Sequence, residues 1–322
     1  MKIFNGKTLL LGALAGLTAF MLVMGASAQP FFSTFLYAAS ALPILIVGLG
    51  WGNIAAIIAI AVAGILGVSF ASPDFALIMI VVTLAPAGWL SHLGNLARPA
   101  SELGGPEGLL AWYPLSDILL HLCAIVTLAL VIVGYRAGYG PGLTDQVVDA
   151  MMQTLSSQDP SLAVTDADVD KIKQLIVLLL PLVQGATWVL LLFVAFHFAT
   201  RITAAAGISL RPREDVSAAL RMPRLGLVFI VVAVVATFLG GTIAMIGAAA
   251  TGAFCGGFLL AGLARLHFAA RGKSWATPAI ILAYLSLMFG FPALIFIGLG
   301  ITDTRRALSM TPASGKTDNS EH

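Results

Sequence analysis

Asp117 and His121 stand four residues apart in the apolar run PLSDILLHLCA, so a helix would place both side chains on one face. Ionisable side chains inside a membrane span are costly and are therefore candidates for function. The pair predicts a proton-linked or cation-coordinating site inside a cavity. A structural interpretation stays open, in which Asp117 lies near the membrane interface and His121 is its hydrogen-bond partner.

A second group of polar side chains interrupts the run LIVLLLPLVQGATWVLLLFVAF. Gln184 and Trp188 are four residues apart near its middle, and Thr187 lies between them. These groups could hydrogen-bond to a flat ligand and stack on it, or they could hold neighbouring helices together. With Asp117 and His121, they are the predicted substrate-binding residues.

Histidine and arginine also occur together at the ends of apolar runs. His197 is followed by Arg201, and His267 is followed by Arg271. Cations at these positions suit the carboxyl end of a helix and the phosphates of lipid headgroups.

The composition indicates what surrounds these residues. The chain has 322 residues, of which 59% are hydrophobic and 10% are charged, and its mean hydropathy is +0.98. Soluble domains carry about 25% charged residues, so this chain needs lipid as part of its solvent. The net charge of +2 gives no indication of a nucleic-acid partner. Cys123 and Cys255 lie in apolar runs and are interpreted as reduced thiols.

The apolar runs predict an all-α, polytopic transmembrane helix bundle. Inside hydrocarbon each backbone polar group needs an internal partner, so spans are helices of about 20 residues. The alternation typical of a closed barrel is absent from these runs. Eight or nine spans are predicted, at 8–28, 31–50, 52–70, 75–95, 114–136, 173–200, 224–241, 243–269 and 276–301.

The first apolar segment has two interpretations. Ala26-Ser27-Ala28 is a plausible cleavage site for a secretory signal. The uninterrupted run Leu9–Ala28, however, has the length of a full span, and signal peptides usually have about 7–15 apolar residues there. We therefore expect the segment to be retained.

The distribution of charge predicts a cytoplasmic N-terminus. The predicted inside loops, around Arg98, at 201–224 and at 265–275, are rich in arginine, whereas the outside loop at 137–172 is acidic. Nine spans would leave the C-terminus outside. If 276–301, which Gly290-Phe291-Pro292 interrupts, is a re-entrant hairpin, the tail returns to the cytoplasm. Residues 303–322 are polar and are predicted to be disordered.

The outside loop contains a helical pattern over 143–157, with the apolar residues on one face. This helix would lie on the membrane surface or cover the outer end of the bundle. A second helix is expected to begin near Thr165, continue to about residue 200 and bend at Pro181.

Common catalytic and nucleotide-binding motifs are absent. The sequence has no GxxxxGK[ST], HExxH or GxSxG motif. We expect no enzymatic activity, no cofactor and no metal site.

The order of segments resembles the YybS-like family of bacterial membrane proteins. The similarity covers about residues 8–308 and is carried by ALPILIVGLGWGNIAAIIAIAVAGILG, by GWLSHLGNLARP and by the closing GLGITDTRRALS. That family is distantly similar to the substrate-binding S components of energy-coupling-factor transporters and to the rod-shape protein MreD. The resemblance implies a bacterial inner-membrane location and a six-span core over 1–200. Residues 201–224 would then be an arginine-rich loop, and 225–302 would be additional helices.

The resemblance also implies partner surfaces. Ala15 and Ala19 match the small-xxx-small motif with which S components dock on a coupling protein. Three functions follow as hypotheses. The chain binds or transports a small molecule or lipid without its own ATPase, or it is a scaffold for envelope proteins that uses Arg211 and Arg213, or it is a proton-coupled carrier that uses Asp117 and His121.

Overall fold

The computed structural model describes residues 5–137, 141–158, 166–304 and 309–312, and most of them are helical. The first half contains α1 (Gly6–Ala28), α2 (Ser33–Ala39), α3 (Ala41–Trp51), α4 (Asn53–Phe70), α5 (Pro73–Met79), α6 (Ala85–Gly94) and α7 (Leu115–Ala137). The second half contains α8 (Pro141–Gln158), α9 (Asp166–Ala205), α10 (Val216–Ala219), α11 (Leu225–Thr237), α12 (Gly241–Ala270), α13 (Ala276–Leu287) and α14 (Ala293–Thr302). The predicted all-helical bundle is confirmed.

Seven helical segments within the described ranges are long and apolar enough to cross a membrane. They are Gly6–Ala28, Ser33–Trp51, Asn53–Phe70, Pro73–Gly94, Leu115–Arg136, Asp168–Ala205 and Gly241–Ala270. Each corresponds to a predicted span. The predicted total of eight or nine spans is not confirmed.

The other two predicted spans form shorter helices. In 224–241 the helix α11 has 13 residues, which is about 20 Å at 1.5 Å per residue, against a hydrocarbon core of about 30 Å. The segment 276–301 is divided into α13 and α14, and Gly290 has a φ of 75° in the turn between them. This helix–turn–helix is the hairpin that the sequence left open as an alternative to one long span.

Local sequence explains the irregularities of the early helices. Gly52 has a φ of 87°, a left-handed conformation that favours glycine, and it separates α3 from α4. The Ser72 hydroxyl accepts a hydrogen bond from the backbone N–H of Phe75 and caps α5. A π-helical turn, Ile80–Leu84, joins α5 to α6, and Pro86, which cannot donate a backbone hydrogen bond, follows at once.

The predicted amphipathic helix and the long helix after it are both present. In α8, Val148 is buried, and Asp145 forms an ion pair of 2.7 Å with Lys173 of α9. The helix α9 has 40 residues, about 60 Å, and continues through Pro181. Thr165, the predicted cap of this helix, lies outside the described residues.

Helix α12 contacts α7, α9, α11 and α14, and its glycines permit the closest approaches. A Cβ at Gly252 would overlap the backbone of Leu182, and one at Gly256 would touch Ala186, so α9 and α12 run parallel. A Cβ at Gly247 would meet the backbone of α11. A Cβ at Gly262 would overlap Phe296 of α14.

The first helix shows the same kind of packing. Gly12 and Gly16 face the backbone of α4 at Ala55 and Ala59. Ala15 and Ala19 are buried inside this bundle at 7% and 0% exposure. Their use as a docking surface stays a prediction, and α1 would have to move to present them.

The segment between α9 and α11 enters the bundle. Leu220, Arg221 and Met222 are all buried, and Met222 reaches Gly257 of α12 beside Cys123 of α7. One hydrophobic core includes residues from before 200 and after 225, so the predicted core over 1–200 packs against the additional helices over 225–302.

A small antiparallel sheet lies next to the helices. Its strands are β1 (Ala97–Pro99), β2 (Leu109–Trp112) and β3 (Ser309–Pro312), in the order β1-β2-β3. Ala97 pairs with Trp112, and Leu109 pairs with Pro312. Part of the predicted disordered tail is therefore a strand beside the loop that precedes α7. Residues 313–322 lie outside the described residues.

The contact between α12 and α14 can be tested with two glycines of one helix. A Cβ at Gly300 would overlap the backbone of Phe258, whereas a Cβ at Gly298 would meet nothing within 4 Å. We expect Gly300→Ala to destabilise the protein by about 1–3 kcal/mol, because backbone rather than a flexible side chain must move. Gly298→Ala is the matched control and should be neutral or slightly stabilising. Equal melting temperatures of the two variants in detergent would contradict this packing.

Candidate functional site

The predicted pair at the start of α7 lies in a cluster of rings. His121 Nδ1 donates to the backbone carbonyl oxygen of Asp117 at 2.9 Å, and Asp117 is 5% exposed. The His121 ring is 6.2 Å from Trp89 and 5.9 Å from Tyr113, measured between ring centroids. The hydrogen bond within the helix and the ring contacts give His121 a structural role. A proton-linked role stays a prediction.

The second predicted group lies along α9. Gln184, Thr187 and Trp188 are half-buried, and Trp188 packs edge-on against Tyr37 of α2 at 5.7 Å between centroids. Trp188 also packs against the main hydrophobic core. This contact fits the interpretation that the group holds helices together, and a ligand role stays a prediction.

A cavity of the described chain lies elsewhere, where α9, α12 and α13 meet the segment between α9 and α11. It has a volume of about 990 Å³, and we call it the arginine cleft because Arg201, Arg211, Arg213 and Arg271 line it. A volume of this size accommodates a drug-sized ligand. A second cavity of about 620 Å³ adjoins it and shares Arg201, Arg211 and Arg213.

Two of these arginines are paired with carboxylates of the same segment. Arg211 contacts Glu214 at 2.6 Å, and their side chains are only 10% and 14% exposed. Arg271 donates to Asp215 and to the hydroxyl of Ser217 at the more exposed edge. These pairs fix the segment against itself and against the end of α12.

The pair at Asp215 is insensitive to pH near neutrality. The hydrogen bond from Arg271 lowers the pKa of Asp215 from 3.8 to about 2. Because the folded protein has the lower pKa, any stability from this contact is complete above about pH 4 and is lost as the pH falls towards 2. Asp215 is therefore charged throughout the physiological pH range.

A third arginine of the segment is buried beneath the cleft. The side chain of Arg221 is fully buried, and its Nε lies 2.5 Å from the Asp303 carboxylate at the end of α14. Its Nη1 donates to the carbonyl oxygens of Ser217 and Leu220, and its guanidinium lies 5.8 Å from the centroid of the Phe268 ring. This ion pair connects the segment at 206–224 to the C-terminal hairpin.

Arg201 and Arg213 differ from the other arginines of the cleft. Both are exposed, and within the described ranges neither has a carboxylate at ion-pair distance. Both line the cleft together with His197. The lining contains four arginines and two carboxylates, Glu214 and Asp215, so its formal charge is +2 with the histidines neutral.

Other residues of the lining are apolar. They include Leu260, Leu263 and Ala264 of α12 and Phe193 of α9. Three further lining residues are exposed by 44%, 53% and 49%: Val194, Phe198 and Tyr284. A lining that combines arginines with exposed apolar side chains suits an amphipathic anion.

The predicted site residues divide into two sets. Arg211 and Arg213, predicted as a partner surface, line the cleft, whereas Asp117, His121, Gln184, Thr187 and Trp188 do not. Sequence reasoning missed the pairing of Glu214, Asp215 and Asp303 with arginines. Asp303 is the aspartate of the closing segment GLGITDTRRALS, and its place in that segment was the only indication that it is important.

No protein-family model, curated protein or solved structure matches this chain. The resemblance to the YybS-like family therefore stays a prediction from the quoted segments.

The buried ion pair can be tested by a double-mutant cycle. Asp303→Leu removes the carboxylate that lies beside the buried Arg221 charge, which should cost about 3–5 kcal/mol. Arg221→Met with Asp303→Leu removes both charges and should restore much of the loss. Melting temperatures of the single and double variants in detergent measure this coupling.

The exposed pair Arg136–Asp74 is a control for that cycle. Its atoms are 2.7 Å apart, but its side chains are 54% and 74% exposed, so Asp74→Leu should change the melting temperature little. If the effects of Arg221→Met and Asp303→Leu simply add, the two residues are not energetically coupled.

Proposed function

We propose that this protein is an integral membrane protein that binds an amphipathic small molecule or lipid in the arginine cleft. The observation that supports the proposal best is one cavity of about 990 Å³ whose lining combines arginines with apolar side chains, several of them exposed. Ligand sites are usually concave and largely apolar, with a few placed polar groups.

The position of the cleft along the helices supports this proposal. Its basic residues lie where the apolar stretches of α9 and α12 end, a level at which a membrane changes from hydrocarbon to headgroups. An amphipathic ligand could therefore keep its apolar part at the depth of the lipid chains while its polar part reaches the arginines.

We propose a bacterial inner membrane as the location, with the N-terminus in the cytoplasm and the first apolar segment retained. The arginine cleft would then face the cytoplasmic leaflet. The chain has no GxxxxGK[ST] motif, so transport of the ligand would need a partner protein or an ion gradient. A coupling protein or an envelope protein is the partner that the sequence resemblance suggests.

The scaffold and carrier hypotheses have less support. A scaffold that docks through Arg211 and Arg213 needs both side chains accessible, but Arg211 is bonded to Glu214 and is 10% exposed. A carrier that uses Asp117 and His121 needs a water-accessible path, and neither residue lines the arginine cleft.

Native mass spectrometry tests the proposed function directly. Protein extracted gently from its own membrane should carry a discrete adduct. Ala204, which lines both cavities, is a position at which added volume should exclude the ligand, so Ala204→Trp should lose the adduct. Ala269→Trp on the exposed side of α12 is the control and should keep it. A wild-type chain that carries only protein partners would overturn the proposal in favour of a scaffold.

A further inference from the structure

The charges of the arginine cleft indicate what kind of headgroup it binds, provided that the proposed binding function holds. Arg211 is matched by Glu214 and Arg271 by Asp215, so these four side chains contribute no net charge to the site. Arg201 and Arg213 supply the remaining +2. Two guanidinium groups without carboxylate partners in the described part of the chain form a site for a doubly charged anion.

We propose that the cleft binds a membrane lipid whose headgroup is a phosphate monoester. A phosphate monoester carries a charge of about −1.5 to −2 at neutral pH, which matches the two arginines, whereas a phosphodiester carries −1. Guanidinium groups bind phosphate oxygens with strong, charge-assisted hydrogen bonds.

A lipid is favoured over a water-soluble phosphate by the shape of the lining. Val194 and Phe198 line the cleft and are 44% and 53% exposed, and they belong to α9, which is long and apolar enough to cross a membrane. In this proposal the lipid chain lies on these side chains while the headgroup reaches the arginines. A free phosphate compound has no chain to occupy the apolar residues of the lining.

The paired residues position the two that bind the headgroup. The contact of Arg211 with Glu214 and that of Arg221 with Asp303 hold the segment that carries Arg213 beside the end of α9, where Arg201 lies. Arg211, Arg221 and Arg271 are accordingly positioning residues, and only Arg201 and Arg213 contact the phosphate. The charges of those two are then available without breaking an ion pair.

The test measures thermal stabilisation of the full-length protein in detergent by defined probes. These are phosphatidic acid (monoester), phosphatidylglycerol (diester), phosphatidylcholine (zwitterion) and glycerol 3-phosphate (no chain). A ligand that binds only the native state stabilises it by RT ln(1 + [L]/Kd), so at equal concentrations the tighter ligand raises the melting temperature more. We expect phosphatidic acid to be the strongest, phosphatidylglycerol at least about tenfold weaker, and the other two without effect.

Substitution of the two arginines tests the assigned residues. Arg201→Gln with Arg213→Gln should reduce the affinity for phosphatidic acid by at least about tenfold, because charge-assisted contacts are lost. The melting temperature without lipid should not change, since neither side chain has an ion pair in the described ranges. Arg224→Gln, an exposed arginine of the same segment outside the cleft, is the control and should bind as the wild type does.

The other outcomes separate this inference from the proposed function. If phosphatidylcholine stabilised the protein as much as phosphatidic acid, the assignment of a phosphate monoester would be overturned, whereas the proposed binding of an amphipathic molecule would stand. Equal stabilisation by glycerol 3-phosphate would overturn the lipid assignment. No stabilisation by any probe, together with a wild-type chain free of adducts, would overturn both. The comparison of lipids needs no variant, so it remains decisive even if the double substitution fails to fold.

Discussion

The architecture of the second half of the chain depends on how closely backbones approach α12. Lipid chains are as apolar as leucine side chains, so helices in a membrane gain little from hydrophobic burial and associate through close packing. Glycines at 247, 252 and 262 let α12 pack against α11, α9 and α14 in turn, with backbone against backbone. One thirty-residue helix thereby joins three helices that follow or precede it in the chain.

Close packing along α12 also determines where the helices can separate. The contacts with α9 are centred on Leu182 and Ala186, whereas the cleft begins about two turns later, at Phe193 and His197. There the lining also includes residues of the segment at 206–224. The arginine cleft thus lies beyond the closest contacts between α9 and α12.

The buried charge of Arg221 makes the C-terminal hairpin part of this site. An unpaired guanidinium inside the bundle would be very costly, so the segment at 206–224 can enter only with a carboxylate beside it. That carboxylate comes from Asp303, more than eighty residues later, at the end of α14. The hairpin of α13 and α14 is needed to bring Asp303 back, and β3 continues from there to pair with β2. Two short helices therefore serve a purpose that one continuous span could not, because a span would carry Asp303 to the other end of the bundle.

Sequence reasoning predicted much of the fold because its signals are local. The length of the apolar runs predicted each of the long helices, and the helical period of the apolar residues predicted α8. The division of 276–301 was visible in Gly290 and Pro292, but local sequence cannot decide between a kinked span and a hairpin. The strand β3 was missed because its partner, β2, lies about two hundred residues away.

The candidate site was harder to predict, because its chemistry depends on which charges are cancelled. The sequence places arginines at 201, 211, 213, 221 and 271 near one predicted side of the membrane. Sequence alone does not show which of them are paired with carboxylates. In the folded chain Arg221 is paired with Asp303 within the bundle. Arg211 is paired with Glu214, three residues later, and Arg271 with Asp215, fifty-six residues earlier. What remains at Arg201 and Arg213 is a small part of the total positive charge, but it is the part available to a ligand. The arginines from which the sequence predicts an orientation in the membrane therefore differ in burial and pairing, which residue type alone does not show.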